Sequence, residues 1–356
     1  MTAVAETDGS DMYSAGQGFR GRRVAPLLAA GVAVAVVLVV AGCAAPARAP
    51  RTVQRGRAPE PSRPLWTLSD RGIKTDLIMR MTSPPELLVL GGSRALRFEP
   101  GYITRLTGLS AFNAAVPQAT PQDEWCFVNL LHSRFPRARF GLLWVIHCDE
   151  FDEFGPGAAL LEDPFLSRFL PPAFVDSRLD ALGPAANAAL LQGMPRPSVV
   201  APNGYMISDA ISAAAQRGTL RQRVDSYIHN TLTFYRRTPA RIDPQPSHYF
   251  AMTLGLMNEL GARPTIVLAP LQPSYLARIY GHGWEARHRL VLGYLRGLQR
   301  RYRFNILDFS RLSSIGGSPG GFYDAVHMRP QTTRLVVKAV LRRLPYAFVS
   351  ARALRS

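Results

Sequence analysis

The chain has 356 residues, 47% of them hydrophobic, enough for one large domain or two small ones with a sizeable core. Its 42 Lys and Arg against 25 Asp and Glu leave a net charge of +17, and Lys74 and Lys338 are its only lysines. A biased base composition accounts for arginine over lysine but not for the shortage of acids. Such a charge favours anionic surfaces: phospholipid headgroups, phosphate-bearing wall polymers or nucleic acid.

The N-terminal segment narrows that choice. Arg20, Arg22 and Arg23 precede an uncharged run from Val24 to Gly42, the charged and apolar regions of a secretory signal. Val40-Ala41-Gly42-Cys43 resembles the lipobox of bacterial lipoproteins, which implies lipidation of Cys43 and cleavage before it. The alternative is an uncleaved signal anchor, because a span needs about 20 apolar residues. Either way residues 1–43 export the rest and hold it to the bacterial cell membrane, through a lipid or a helix, with the arginines inside. The expected location is extracytoplasmic, so nucleic acid is not an expected partner.

Ala44–Pro64 holds five prolines and five arginines and almost nothing apolar beyond alanine. It reads as a stiff tether with a reach of roughly 65 Å, at about 3.1 Å per residue. With Cys43 lipidated, Cys126 and Cys148 remain, either as a disulfide of an exported protein or as two buried thiols.

A folded region is expected over residues 65–346, followed by a tail over 347–356. Five short apolar runs bounded by turn formers or charge read as strands covered on both faces: Glu86–Gly92, Leu109–Val116, Arg139–Cys148, Arg263–Pro273 and Tyr302–Phe309. Helical patterns alternate with them at Pro121–Phe135, Tyr249–Leu260 and Ala286–Tyr302. That alternation predicts an α/β three-layer sandwich around a central parallel sheet of about five strands. Prolines break the rhythm from about Glu150 to Ser247, which reads as a helical insertion with a helix over Ile207–Arg236.

Two stretches carry the chemistry. Leu87 to Leu96 reads LLVLGGSRAL, a strand ending in Gly91, Gly92, Ser93 and Arg94. Near the other end, glycines 316, 317, 320 and 321 precede Asp324 and His327, and a helix begins around Pro330. A hydroxyl needs a base within hydrogen-bond reach to act as a nucleophile, and an imidazole base needs an acceptor to fix its tautomer. A D-x-x-H turn supplies both, and in a parallel sheet it opens on the same edge as Ser93, the edge where such sheets bind ligands. Alone, Ser93 reads as a turn residue; with Asp324 and His327 it reads as a catalytic triad.

These residues resemble the SGNH (GDSL-type) hydrolase superfamily. Gly91-Gly92-Ser93 resembles its first block, with Gly92 in place of the aspartate, and Asp324-Ala325-Val326-His327 resembles its last. Phe112–Gln122 is similar to the second block, with Gln118 where a glycine N–H faces the oxyanion, and Asp149 stands about where the third block has an asparagine. The resemblance covers about residues 86–149 and 263–343. It implies a flavodoxin-like SGNH fold with Ser93, Asp324 and His327 catalytic and the N–H groups of Ser93 and Gln118 on the oxyanion. No metal or organic cofactor is implied. By analogy with membrane-tethered members that move acyl groups on envelope polymers, the implied activity is that of an extracytoplasmic serine esterase or O-acyltransferase. Its implied partner is an acylated envelope glycan or polymer.

The other features have two readings each. Arg94 meets a substrate phosphate or carboxylate, or is a solvated arginine. Asn113 binds substrate, or turns the backbone after the second strand. His147, Asp149, Glu150, Asp152 and Glu153 form a solvent-facing acidic loop in preference to a metal site, since they lack ligand-like spacing. Ile279–Arg289, with His282 and Trp284, is a surface loop or a lid. The rival to an enzyme is an inactive SGNH-like module that binds an anionic envelope polymer or a partner protein, favoured by Gln118 and Asp149. A nucleotide-phosphate turn at Gly91–Ser93 is disfavoured by export.

Overall fold

The computed structural model describes residues 65–152, 156–192 and 198–345. The signal or anchor with Cys43, the tether, Glu153 and the tail lie outside them. Within the described chain, the strands are β1 (Leu87–Gly91), β2 (Ala111–Asn113), β3 (Gly141–Ile146), β4 (Val199–Val200), β5 (Met206–Ser208), β6 (Thr265–Leu268) and β7 (Asn305–Asp308). Five of them make a parallel sheet in the order β2-β1-β3-β6-β7. The protein is therefore an α/β sandwich with helices on both faces of a parallel sheet.

The continuous apolar runs have a direct cause in this layering. Successive side chains of a strand point to opposite faces, and here both faces are covered. Leu88 and Leu90 of β1 and Leu142, Trp144 and Ile146 of β3 pack with Phe127, Phe250, Leu254, Val291 and Leu295 from the helices Pro121–Arg134, Pro244–Glu259 and Trp284–Leu298. Leu87, Val89, Leu143 and Val145 point the other way, to Ile103 of the helix Pro100–Thr107 and Val336 and Val340 of the helix Pro330–Arg343. All five residues of β1 are buried, so the strand that carries Ser93 is anchored from both sides.

The expected elements are present, with the strands shorter than their apolar runs, because hydrogen-bonded pairing ends before the hydrophobic residues do. The helix Pro121–Arg134 starts from a Thr120–Asp123 capping box with proline in its first turn. In the insertion, the continuous helix expected over Ile207–Arg236 is corrected. Ile207 lies in β5, which pairs antiparallel with β4, and Ala210–Ala214 forms a single turn. Gly218 then takes a left-handed φ of 66°, and Thr219 caps a new helix, Leu220–Arg237, through Gln222. The insertion is thus helical with a small hairpin.

Cys126 and Cys148 are both buried and both free, so the thiol reading replaces the disulfide. Burial pushes both thiols well above their usual range.

Candidate active site

Ser93, Asp324 and His327 meet at the carboxyl edge of the sheet. Gly91 makes the exit from β1 possible: its φ is +137°, and a Cβ there would run into the Val145 carbonyl oxygen of β3. Gly92 follows and Ser93 opens a single 3-10 turn, Ser93–Ala95, closed by Ala95 N–H donating to the Gly92 carbonyl at 2.9 Å. The hydroxyl is thereby held at the top of a rigid strand.

The D-x-x-H segment folds into an equally constrained loop. Phe322 bridges to Met328, and Tyr323 N–H donates to the His327 carbonyl at 2.8 Å. Asp324 Oδ1 accepts from the N–H groups of Val326 and His327, each at 2.9 Å, an Asx turn that fixes the carboxylate. Its other oxygen, Oδ2, lies 2.6 Å from His327 Nδ1, and His327 Nε2 lies 2.8 Å from Ser93 Oγ. Burial pushes the Asp324 carboxyl up, but the neighbouring His327 ring and the three hydrogen bonds outweigh it and hold it below its ordinary value. An ionised carboxylate only accepts, so His327 donates from Nδ1 and turns the Nε2 lone pair to the serine. This is the arrangement a nucleophilic hydroxyl needs.

The loop after β2 lies beside Ser93. Val116 N–H donates to the Gly91 carbonyl at 3.2 Å, and a Cβ at Gly92 would come within 3.9 Å of Ala119 N. Gln118 has a φ of +52°, the only left-handed non-glycine among the described residues. A residue that takes a glycine-like conformation in the middle of this loop carries a cost of order 1–3 kcal/mol. Arg71 holds it there: the guanidinium pairs with Asp123 at 2.6 Å and donates to the Gln118 carbonyl at 3.2 Å. The N–H groups of Ser93 and Gln118 have no protein acceptor among the described residues. Gln118 is exposed, so its side chain is not wedged into the surrounding packing.

Asn113 is not a cleft residue. It is fully buried; its amide donates to the carbonyls of Ala95 at 2.9 Å and Phe98 at 2.8 Å, and its oxygen accepts from Ala115 N–H at 2.9 Å. Lys74, equally buried, donates from Nζ to the Asn113 carbonyl at 2.9 Å and to the Ala115 carbonyl. The two side chains tie the serine turn to the loop after β2, so the backbone-turning reading of Asn113 stands and the substrate-binding one is withdrawn.

The acidic loop after β3 is also corrected: it faces inward. Glu150 and Asp152 are buried, and Asp149 and His147 are half-buried. Arg287 reaches across from the helix Trp284–Leu298 to Asp152 at 3.2 Å and to Asp149 at 3.8 Å, while Tyr235 OH donates to Asp149 at 3.4 Å. Burial pushes Asp149 up, opposed by Arg94 and Arg287. Of the segment Ile279–Arg289 only residues 280–283 form a turn, and Trp284 already opens the next helix; Trp284 is buried and stacks on His288 with 4.6 Å between ring centroids, and His282 is exposed.

The insertion adds a residue that sequence reasoning missed. Tyr227, on the helix Leu220–Arg237, sets its ring edge-on to the His327 ring, 6.0 Å between centroids. No sequence signal marks it beyond its place on the apolar side of an amphipathic helix. Arg71, Lys74 and Asp123, the supports of the Gln118 loop, were likewise unmarked.

Comparison with protein-family models gives no match, and comparison with curated proteins gives none either. The functional reading therefore rests on the geometry above.

Proposed function

We propose that this chain is a serine esterase or O-acyltransferase of the SGNH type, acting on acyl esters of cell-envelope glycans or polymers. The observation that carries the reading is the continuous hydrogen-bonded line from Ser93 Oγ through the His327 ring to Asp324, with spans of 2.8 Å and 2.6 Å. Ser93 Oγ attacks the ester carbonyl carbon and passes its proton to His327 Nε2. The tetrahedral oxyanion receives hydrogen bonds from the backbone N–H groups of Ser93 and Gln118. His327 then protonates the leaving alcohol as the C–O bond breaks, which leaves an acyl-Ser93. Water, or a sugar hydroxyl in the transferase variant, attacks that ester after giving its proton to His327, and Ser93 regains its own. None of these steps asks for a cofactor. The N-terminal signal or anchor and the arginine-rich tether would hold the site outside the membrane, near anionic polymers.

The inactive-module reading is favoured by one observation, the carboxyl group of Asp149 about where the resemblance calls for an amide donor. The loss of one oxyanion donor costs roughly 100- to 1,000-fold in rate. The experiment that separates the two is labelling of the full-length protein with a fluorophosphonate probe. A Ser93-dependent adduct supports the enzyme; an unlabelled but folded protein supports the binding module.

A further inference from the structure

Most arginines packed into this domain have a fixed partner; half-buried Arg178, whose Nε has none, is an exception, and Arg94, next to the proposed nucleophile, is another. Arg71 pairs with Asp123, Arg97 with Asp209 and Arg287 with Asp152, while Arg223 and Arg329 donate to the carbonyls of Tyr323 and Phe322. Arg94 is half-buried and makes no hydrogen bond or ion pair with any described residue. It is the second residue of the serine turn, and its charge acts on Tyr227, Tyr275, Asp149 and His147. Tyr227 of that set lies on the insertion helix Leu220–Arg237, and Tyr275 on the helix Pro273–Ile279. Tyr227 stands with its ring 6.0 Å from that of His327 and 6.1 Å from that of Tyr275. Its hydroxyl too has no hydrogen-bond partner among the described residues, whereas Tyr275 OH bonds Thr231 at 2.9 Å.

No acid among the described residues lies within ion-pair distance of Arg94, although its charge is the strongest pull against the burial of both Asp149 and Glu150. Asp149 is held by Arg287 and Tyr235, and Glu150 lies 3.4 Å from His147 Nε2. Burial pushes the Glu150 carboxyl up, towards its neutral form, against the pull of Arg94. Two donors, one of them charged, thus belong to residues next to Ser93 and His327 and have no acceptor among the described residues. A planar guanidinium is suited to bidentate capture of an oxyanion, and a phenol adds a third donor.

We propose that Arg94 and Tyr227 form a recognition site for an acidic group, a carboxylate or phosphate, on the substrate whose ester is presented to Ser93. The proposal rests on the Ser93 reading for the reaction but not for the anion binding, so two measurements separate them.

The first compares hydrolysis of mono-4-nitrophenyl succinate, which carries a carboxylate, with that of neutral 4-nitrophenyl acetate by the full-length protein. Arg94→Gln is expected to lower the ratio of the two kcat/KM values by about 10- to 100-fold, the scale of a hydrogen bond to a charged group, mainly through KM. Tyr227→Phe should lower it less, and Arg94→Lys should restore part of it. An equal loss on both esters would mean that Arg94 stabilises the oxyanion instead, and would overturn the proposal. The second measurement titrates Ser93→Ala protein with the succinate ester by calorimetry, and repeats it in competition with succinate and with inorganic phosphate to tell which oxyanion fits. Binding that Arg94→Gln abolishes upholds the site even if no fluorophosphonate labels the wild-type protein. Binding that ignores Arg94→Gln removes the site even if Ser93 is labelled.

Discussion

Ser93 and His327 stand 234 positions apart in the chain, yet Oγ and Nε2 meet at 2.8 Å. The meeting depends on two stiff ends, a fully buried strand under the serine and an Asx turn under the histidine. It also depends on Asp324, which fixes the ring. Asp324→Asn would keep the shape but offer Nδ1 a donor, favouring the tautomer that points a proton at Ser93. Esterase activity and the rate of fluorophosphonate labelling should fall by about 10³- to 10⁴-fold, with the melting temperature little changed. Near-normal labelling of Asp324→Asn would mean that the line of hydrogen bonds has no catalytic role.

Gly91 and Gly92 look alike in sequence but should respond oppositely to a methyl group. At Gly91 a Cβ would strike the Val145 carbonyl, and the φ of +137° is hostile to any side chain. Gly92 has a φ of −79°, and the nearest atom to an added Cβ would be Ala119 N at 3.9 Å, an ordinary van der Waals contact. Gly91→Ala is expected to destabilise by more than about 2 kcal/mol or to prevent folding. Gly92→Ala should be neutral or stabilising by up to about 1 kcal/mol, through the unfolded chain. Denaturant titration of the two variants decides it, and equal midpoints would contradict the backbone geometry at β1.

Lys74 links stability to pH. Burial lowers its amine to about 7, with only a partial opposing pull from Asp70. Since the unfolded chain keeps the usual lysine value, the unfolded state binds the extra proton between about 7 and 10.5. The Lys74 contribution therefore rises with pH across that window. In Lys74→Met this part of the slope should vanish. The unpaired carbonyls of Asn113 and Ala115 should also cost about 1–3 kcal/mol at neutral pH. Identical slopes for the two proteins between pH 7 and 10 would refute the assignment.

The cysteines offer a simple check on the core. Cys126 is fully buried and Cys148 nearly so, and neither is bridged. A maleimide should leave both untouched in the native protein and modify both after denaturation without any reductant. Protection that persists in denaturant until reductant is added would show a disulfide.

Much of this site was open to reading in the residues alone. The Gly-Gly-Ser turn and the Asp-x-x-His turn are local: each is set by neighbours within a few positions, so the sequence displays them. The supports are not local. Arg71 finds Asp123 across 52 positions, Lys74 finds Asn113 across 39, and Arg287 finds Asp152 across 135. Nothing in the residues around any of them names its partner. The acidic stretch after β3 misled for the same reason, because charge in a row suggests solvent until a distant arginine folds over it.

By itself, the sequence determined the order of elements, a parallel sheet buried on both faces, and which turns carry a hydroxyl, an imidazole and a carboxylate. These follow from hydrophobic period and turn chemistry, which act over a few residues. Only the tertiary structure decided that Asn113 serves the backbone, that the acidic loop turns inward to Arg287, and that Arg94 and Tyr227, next to Ser93 and His327, find no hydrogen-bond partner among the described residues. Those outcomes depend on which polar groups are left with a partner once the core has closed, and that is a property of the packed chain rather than of any stretch of it.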